Sequence, residues 1–304
     1  MLTQYDLHTH STASDGTLSP RALVQLAKAR GIDVLALTDH DMVDGVEEAV
    51  AEAEIAGLTL IPGAEISVSW NHQTIHIVGL NLDINNQALK AGLNRTCEFR
   101  HWRGEEIARR LGKKRIEGAY EGALKFAGGR ILARTHFARF LIEQGYAKDM
   151  QQVFKRFLTQ GKPGYVPGDW ASLEEALEWI HGAGGQAVIA HPARYRLSGS
   201  RFRQFIGEFC ELGGQGFEVV SGSHSRDDMH NMSQLASRFE LHASAGSDYH
   251  GPENPYMDLG RLPPLPDSCT PIWESATWQN IHHPDGQEDL LSSSLVTSPS
   301  SLIL

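Results

Sequence analysis

Short apolar runs alternate with capped amphipathic stretches along most of this chain, and few architectures accommodate that pattern. Residues 34–37, 58–61, 75–80, 187–190 and 217–220 have the length and continuous apolarity of strands buried on both faces, as in a parallel sheet. The stretches between them carry helix punctuation. Ser19 is an N-cap residue ahead of Pro20, Leu23, Leu26, Ala27 and Arg30 follow at helical spacing, and Gly31 closes the run. Ser172-Leu173-Glu174-Glu175 reads as a capping box ahead of Ala176, Leu177 and Ile180. The alternation predicts a parallel sheet or barrel wrapped by helices, with no internal repeat.

Residues 99–162 interrupt the alternation with helix-like stretches around 105–111, 137–142 and 153–158. They also hold 15 Lys/Arg against 6 Asp/Glu, a local charge of +9, while the chain as a whole carries −10. The other 240 residues are therefore at −19. A naive reading of the net charge disfavours a polyanionic partner. Its distribution instead marks a separate unit with an electrostatic task of its own.

Composition narrows the setting. With 41% hydrophobic and 21% charged residues in 304, the chain is ordinary globular material, large enough for one large or two small domains. No window approaches the roughly 18 uninterrupted apolar residues of a membrane-spanning helix. The N-terminal Met1-Leu2-Thr3-Gln4-Tyr5-Asp6 has neither the basic nor the apolar region of a secretory signal. Three scattered cysteines, Cys97, Cys210 and Cys269, offer no disulfide framework and no CxxC zinc site. The expected compartment is reducing and cytoplasmic. Residues 290–304 contain six serines, one proline and no charge, so 275–304 is expected to be a disordered tail or a weak attachment segment.

The chemistry lies in where the 15 histidines fall. In Asp6-Leu7-His8-Thr9-His10-Ser11, residues i and i+2 of an extended run point the same way, so His8 and His10 can reach one metal ion together. Asp248-Tyr249-His250 repeats that spacing. Asp15 follows the first pair in a polar loop, and His40 follows the run 34–37. Glu65 comes after 58–61, His76 sits inside 75–80, and His191 directly follows 187–190. Any one such histidine is an ordinary core residue. Nine imidazoles and carboxylates near successive strand ends are different, because burying them is costly unless a metal pairs them. The C-terminal strand ends are also where β/α barrels build active sites. His72, His181, His224, His230, His242, His282 and His283 fall outside this set and read as ordinary core or surface residues.

These motifs, together with Thr38-Asp39-His40-Asp41, Pro62-Gly63-Ala64-Glu65, Ala190-His191-Pro192 and Gly246-Ser247-Asp248-Tyr249-His250, resemble those of the PHP (polymerase and histidinol phosphatase) family. The match runs over residues 6–250. Within the family the chain is most similar to the RNase AM and 3′,5′-nucleoside bisphosphate phosphatase type. Its insertion contributes through Arg134-Thr135-His136-Phe137-Ala138-Arg139 and Gly161-Lys162-Pro163-Gly164-Tyr165-Val166. The resemblance implies an α/β fold, a distorted (β/α)7 barrel with a small, mostly helical inserted domain. The barrel is then expected over 1–98 and 165–274, with the insertion at 99–164 as a substrate clamp.

It further implies three divalent metal ions. His8, His10, Glu65 and Asp248 would hold the first, Asp15, His40 and His250 the second, and Glu65 with His76 and His191 the third. Asp15 stands where many relatives have histidine, and its carboxylate favours manganese, with zinc or iron as alternatives. Three carboxylates against three divalent ions leave about +3, a sink for a phosphoryl group. The implied reaction is attack on phosphorus by metal-activated hydroxide held through those nine residues. Arg134 and Lys162 would grip a phosphate that is not cleaved. The implied substrates are nucleotides and 5′-phosphorylated RNA ends, with short DNA as a further candidate, in RNA 5′-end maturation or turnover. Nothing in the sequence calls for a membrane or an obligate protein partner. Two alternatives stand beside this: a histidinol-phosphate or other small-molecule PHP phosphatase, and a non-catalytic PHP binding module. No ligand position is lost, which speaks against the module. A small amino-alcohol phosphate has no use for a surface at +9, which speaks against the other phosphatase.

Overall fold

The computed structural model describes residues 3–128, 131–253 and 258–282. Seven strands follow one another around a single sheet in sequence order. They are β1 (Tyr5–Asp6), β2 (Val34–Leu37), β3 (Thr59–Trp70), β4 (Gln73–Leu80), β5 (Gln186–Ile189), β6 (Gly216–Ser221) and β7 (His242–Gly246). The two ends of the sheet meet: the Leu7 N–H donates to the Ala245 carbonyl, and the Asp248 N–H to that of His8, both at 2.9 Å. The sheet is thus a nearly closed barrel.

β1, β2 and β3 are mutually parallel, as are β5, β6 and β7. β4 is antiparallel to both neighbours, β3 and β5. This corrects the parallel reading of the run 75–80. An apolar run carries no direction, and the direction here is set by Asn71 and His72. Both take positive φ, 45° and 63°, in a two-residue turn that folds β4 straight back onto β3.

Alternation along the strands sorts two apolar layers. Val34, Ala36, Ile61, Val78, Leu80 and Val188 fill the barrel interior, while Leu35, Leu37, Ile66, Ile77 and Ile189 face the surrounding helices. Those helices are α1 (Pro20–Ala29), α2 (Val46–Ala56), α7 (Leu173–Gly182), α8 (Gly199–Glu211) and α9 (Arg226–Arg238). The expected caps form: Ser19 accepts from the Ala22 N–H, and Ser172 and Glu175 close a capping box. Ile272 and Trp278, the latter on α10 (Ala276–His282), complete the interior layer. Trp278 is buried, so residues 276–282 belong to the barrel rather than to a tail. The serine-rich composition that suggested a tail starts later, and residues 283–304 lie outside the described residues.

The basic insertion has its own core. α3 (Gln87–Gly112) places Leu89 and Leu93 in the barrel's outer layer, and Ile107 and Leu111 in a second cluster with Phe137, Leu141, Val153, Leu158 and Val166. Around that cluster pack α4 (Ala119–Leu124), α5 (Arg134–Glu143) and α6 (Met150–Val153), which continues as a π-helical turn over Phe154–Leu158. The boundary expected at 98/99 therefore falls inside a continuous helix. α3 is the strut that joins the insertion to the barrel.

Candidate metal centre

The extension of β1 carries His8 and His10 into the barrel mouth, where both are buried. Opposite them stand Glu65 and Asp248. His8 Nε2 lies 3.4 Å from Glu65 Oε2 and 3.6 Å from Asp248 Oδ1; His10 Nε2 lies 3.4 Å and 3.2 Å from the same atoms. Glu65 is the hub. His40 Nδ1 is 2.8 Å from its Oε2, while His76 Nδ1 and His191 Nε2 are 2.7 Å and 2.9 Å from its Oε1. Asp15 forms a second focus, with His250 Nε2 at 3.2 Å and His40 Nε2 at 3.9 Å.

All nine residues singled out in the sequence therefore converge on one site. The donor atoms of eight of them fall into three overlapping groups: His8, His10, Glu65 and Asp248; His10, Asp15, His40 and His250; and His40, Glu65 and His76; His191 stands outside these groups, against Glu65 Oε1. Within each group the atoms lie within 4.8 Å of one another. One positional expectation needs correction. Glu65 does not follow its strand but sits in the middle of β3. It lies just past Pro62, where pairing with β2 stops, so it occupies the end of the parallel ladder without ending the strand.

Such a cluster is electrostatically expensive. Burial pushes the Glu65, Asp15 and Asp248 carboxyls up, yet all three are held well below the usual range. The opposing charges are the imidazoles of His40, His76 and His8 around Glu65, those of His250 and His40 at Asp15, and Arg194 and His250 at Asp248. Burial lowers His10 to about 3 and His76 to about 4. At His250 burial is overcome by Asp15 and Asp248, which raise it to about 9. Among the described residues, the buried His8 Nε2, His10 Nε2, Asp15 Oδ1, His40 Nδ1 and Glu65 Oε2 have no hydrogen-bond partner. Unmet buried polar atoms each cost about 1–3 kcal/mol, and here they converge. Mixed imidazole and carboxylate lone pairs of this kind fit divalent cations.

Surrounding groups fix the cluster. The His8 Nδ1–H donates to Glu218 Oε1 at 3.0 Å, which turns the Nε2 lone pair inward, and Glu218 Oε2 accepts from the His191 backbone N–H. Gly246 lets β1 and β7 approach there, since a Cβ would come within 2.2 Å of the His8 Cβ and 2.5 Å of Glu218 Oε1. Asp39 pins the loop that carries Asp15, accepting from the Ser11 N–H, the Ser11 hydroxyl and the Ser14 hydroxyl at 2.7, 2.6 and 2.5 Å. Asp41 accepts from the Ser67 N–H at 2.7 Å and from Arg100 Nε at 2.7 Å, tying α3 to β3. The Tyr195 hydroxyl accepts from the His76 N–H at 2.9 Å.

The insertion reaches the cluster through α5. Thr135 donates to Asp15 Oδ2 at 2.7 Å, and Arg139 to the Asp15 carbonyl at 3.1 Å. Arg134 opens the same helix, its guanidinium 5.5 Å from the Phe154 ring centre, and burial together with Arg100 lowers its pKa. Lys162 is placed differently. It is exposed, lining an open depression with Gln152, Lys155, Arg156 and Phe157.

Sequence reasoning missed Glu218, Arg194, Tyr195 and His136. Arg194 pairs with Asp248 at 2.6 Å. His136 is fully buried, its Nδ1 accepts from the Ala133 N–H at 3.2 Å, and its Nε2 has no partner. Glu218 did leave a signal, a lone carboxylate within the apolar run 217–220.

Comparison with known proteins resolves the family. The PHP domain model matches residues 6–217. The chain belongs to the PHP family. This PHP chain is 48% identical over 269 residues to the 3′,5′-nucleoside bisphosphate phosphatase of Chromobacterium violaceum, covering 88% of the chain and 94% of that protein. It is 44% identical over 277 residues to the 5′-3′ exoribonuclease Rnm of Salmonella typhimurium, covering 90% and 94%. A solved structure of an amidohydrolase from Chromobacterium violaceum superimposes with a TM-score of 0.86 at 47% identity, covering 89% of this chain and 95% of that one. The PHP chain is an enzyme of the metal-dependent phosphoesterase type, and its His/Asp/Glu cluster is where it can bind metal. Among the described residues no helix is long and apolar enough to cross a membrane.

Proposed function

We propose that this protein hydrolyses the phosphate ester on O3′ of 5′-phosphorylated nucleotides. It would act as a 3′-phosphatase on 3′,5′-nucleoside bisphosphates and as a 5′→3′ exoribonuclease on 5′-phosphorylated RNA, with short DNA as a secondary substrate. The relatives named for these two activities match nearly the full length of the chain. The observation that carries the reading is α5, which brings the basic insertion directly onto Asp15 of the cluster.

Three divalent ions, manganese first, would be held by the nine residues. The first belongs with His8, His10, Glu65 and Asp248, the second with Asp15, His40 and His250, and the third with Glu65, His76 and His191. When bound, such ions supply Lewis acidity and water activation for attack at phosphorus. The protein's own part is orientation and charge. Glu218 holds His8 in the tautomer whose Nε2 faces the site, and Tyr195 holds the backbone of His76. Arg194, at the edge of the cluster, is positioned to offset negative charge on the phosphoryl group undergoing transfer. Arg134, at the start of α5, would hold the 5′-phosphate, since a guanidinium suits bidentate contact with phosphate oxygens. Lys162, exposed on the insertion, would act as a point charge on a substrate phosphate that is not cleaved.

The two activities are one reaction. A mononucleotide's 3′-phosphate and the next phosphodiester of an RNA both sit on the same sugar's O3′. Attack at that phosphorus, with O3′ leaving, frees a 5′-monophosphate in either case. From RNA it also leaves a shortened chain that bears a new 5′-phosphate, ready for the next cycle. Holding the non-reacting 5′-phosphate uses remote binding energy to position the reacting one.

The test is a side-by-side product assay with manganese on a 3′,5′-bisphosphonucleotide, 5′-phosphorylated RNA and histidinol phosphate. Nucleoside 5′-monophosphates from the first two, and little turnover of the third, are expected. A preference for histidinol phosphate overturns the reading.

A further inference from the structure

Beside the cluster, on the His76 side, lies an aromatic group that the proposed chemistry does not use. Trp170 leans on β4, its indole N–H donating to the Thr74 hydroxyl at 3.1 Å and its backbone N–H to Ser69 at 2.9 Å. Thr74 precedes His76 by two residues on the same strand, so both side chains lie on one face of β4. The Phe99 ring packs edge-on to Trp170 at 4.8 Å, and Trp102 stacks on Phe99 at 5.5 Å. Trp102 is 55% exposed, although a ring of that size is normally kept from water. Beneath this layer run cations: the guanidiniums of Arg100 and Arg103 lie 5.0 Å and 5.3 Å from the Trp170 ring centre. Arg100 also donates to the Ser67 hydroxyl at 2.9 Å, and Ser67 pairs directly with His76 across the hairpin. A continuous set of contacts thus leads from the metal cluster to an exposed indole, past two buried guanidiniums of which Arg100 is ion-paired with Asp41 and Arg103 donates to the Val166 carbonyl.

An exposed indole continued by two half-buried rings matches the π faces that single-stranded nucleic acid offers. The two ends of the cluster also differ. At the Asp15 end stand Thr135 and Arg139 of α5, the helix assigned to the 5′-phosphate. At the His76 end stands Trp170. A strand held by its 5′-phosphate at the first end, with its first internucleotide phosphate over the cluster, leaves across the second. We propose that Phe99, Trp102 and Trp170 form a stacking platform for RNA bases on the 3′ side of the cleaved bond, with Trp102 as its exposed face. This rests on the exoribonuclease reading. It adds that oligonucleotides engage a surface that a mononucleotide never touches.

The platform is tested with Trp102→Ala and Trp102→Phe in the metal-loaded full-length protein. Stacking of one base on an aromatic ring corresponds to roughly a five- to hundredfold effect. Trp102→Ala should therefore lower kcat/KM on a 5′-phosphorylated decamer within that range, while turnover of the 3′,5′-bisphosphonucleotide stays unchanged. Trp102→Phe should recover most of the loss. Abasic sites placed just beyond the first nucleotide should impair the wild type as strongly and add little to the alanine variant. Equal losses on decamer and mononucleotide, or no loss on either, overturn the platform and leave Trp102 as a structural residue or a protein contact. If the wild type fails to degrade the decamer at all, the exoribonuclease reading itself fails, which is a different result.

Discussion

The His8 imidazole, just past β1, and the Glu218 carboxylate on β6 are locked together at 3.0 Å, although 210 positions separate them in the chain. Because a carboxylate only accepts, the proton on Nδ1 is fixed, and Nε2 faces the site beside Glu65 and Asp248. Both oxygens of Glu218 are used, the second by the His191 N–H.

This double use makes Glu218→Gln informative. An amide has one accepting oxygen, so it can serve His8 or His191 but not both. Removing an outer partner of a metal-binding histidine commonly weakens metal affinity or activity about 10- to 100-fold. A chelator-competition titration should show metal binding weakened within that range while the circular dichroism spectrum is retained. Unchanged affinity would mean that Glu218 does not orient the site.

Glu65→Ala removes the hub contacted by His8, His10, His40, His76 and His191. Activity on every substrate should be lost, and elemental analysis should find fewer ions per chain than in the wild type, while the barrel still folds. Near wild-type turnover would break the assignment of Glu65 as the shared carboxylate.

Arg134→Ala should cost about ten- to a hundredfold in kcat/KM on 5′-phosphorylated substrates, the size of one or two charge-assisted phosphate contacts. Substrates with a 5′-hydroxyl, which have nothing for it to hold, should lose much less. Parallel losses on both kinds of substrate would show that Arg134 supports α5 rather than the substrate.

Arg100 and Asp41 form an ion pair with side chains only 7% and 0% exposed, and this pair anchors the strut helix α3 to the barrel. Arg100→Ala leaves Asp41 and the Ser67 hydroxyl without the guanidinium in a dry setting. Breaking one side of a buried pair destabilises by about 3–5 kcal/mol, and urea denaturation should show a drop of that order. A loss below about 1 kcal/mol, the range of surface pairs, would contradict this role.

Much of this was legible in the residues themselves. The i, i+2 spacing of His8 and His10 exposed the site because extended-chain geometry is local and periodic, whereas Asp248 reaches it past the end of β7 with a φ of 55° that the spacing did not show. The capping residues Ser19 and Ser172 marked real helix starts for the same reason. The direction of β4 was hidden, because the run 75–80 looks the same in either orientation and the deciding turn at Asn71–His72 has no strong signature. Trp278 was hidden by its neighbours: one anchoring indole precedes a long serine-rich stretch, and composition averages it away. Glu218 and Arg194 escaped because their partners, His8 and Asp248, are brought to them only by closure of the barrel.

The central claim is that one geometry, a held 5′-phosphate and attack at the phosphorus on O3′, serves nucleotide and RNA alike. The most direct measurement follows two RNAs of identical sequence, one with a 5′-phosphate and one with a 5′-hydroxyl, each labelled in turn at either end and digested by the manganese-loaded enzyme. The account predicts rapid release of 5′-monophosphates from the 5′ end of the phosphorylated RNA, with the 3′ label retained until last and the 5′-hydroxyl RNA degraded poorly. Equal rates on the two RNAs, or early release of the 3′ label, would contradict it.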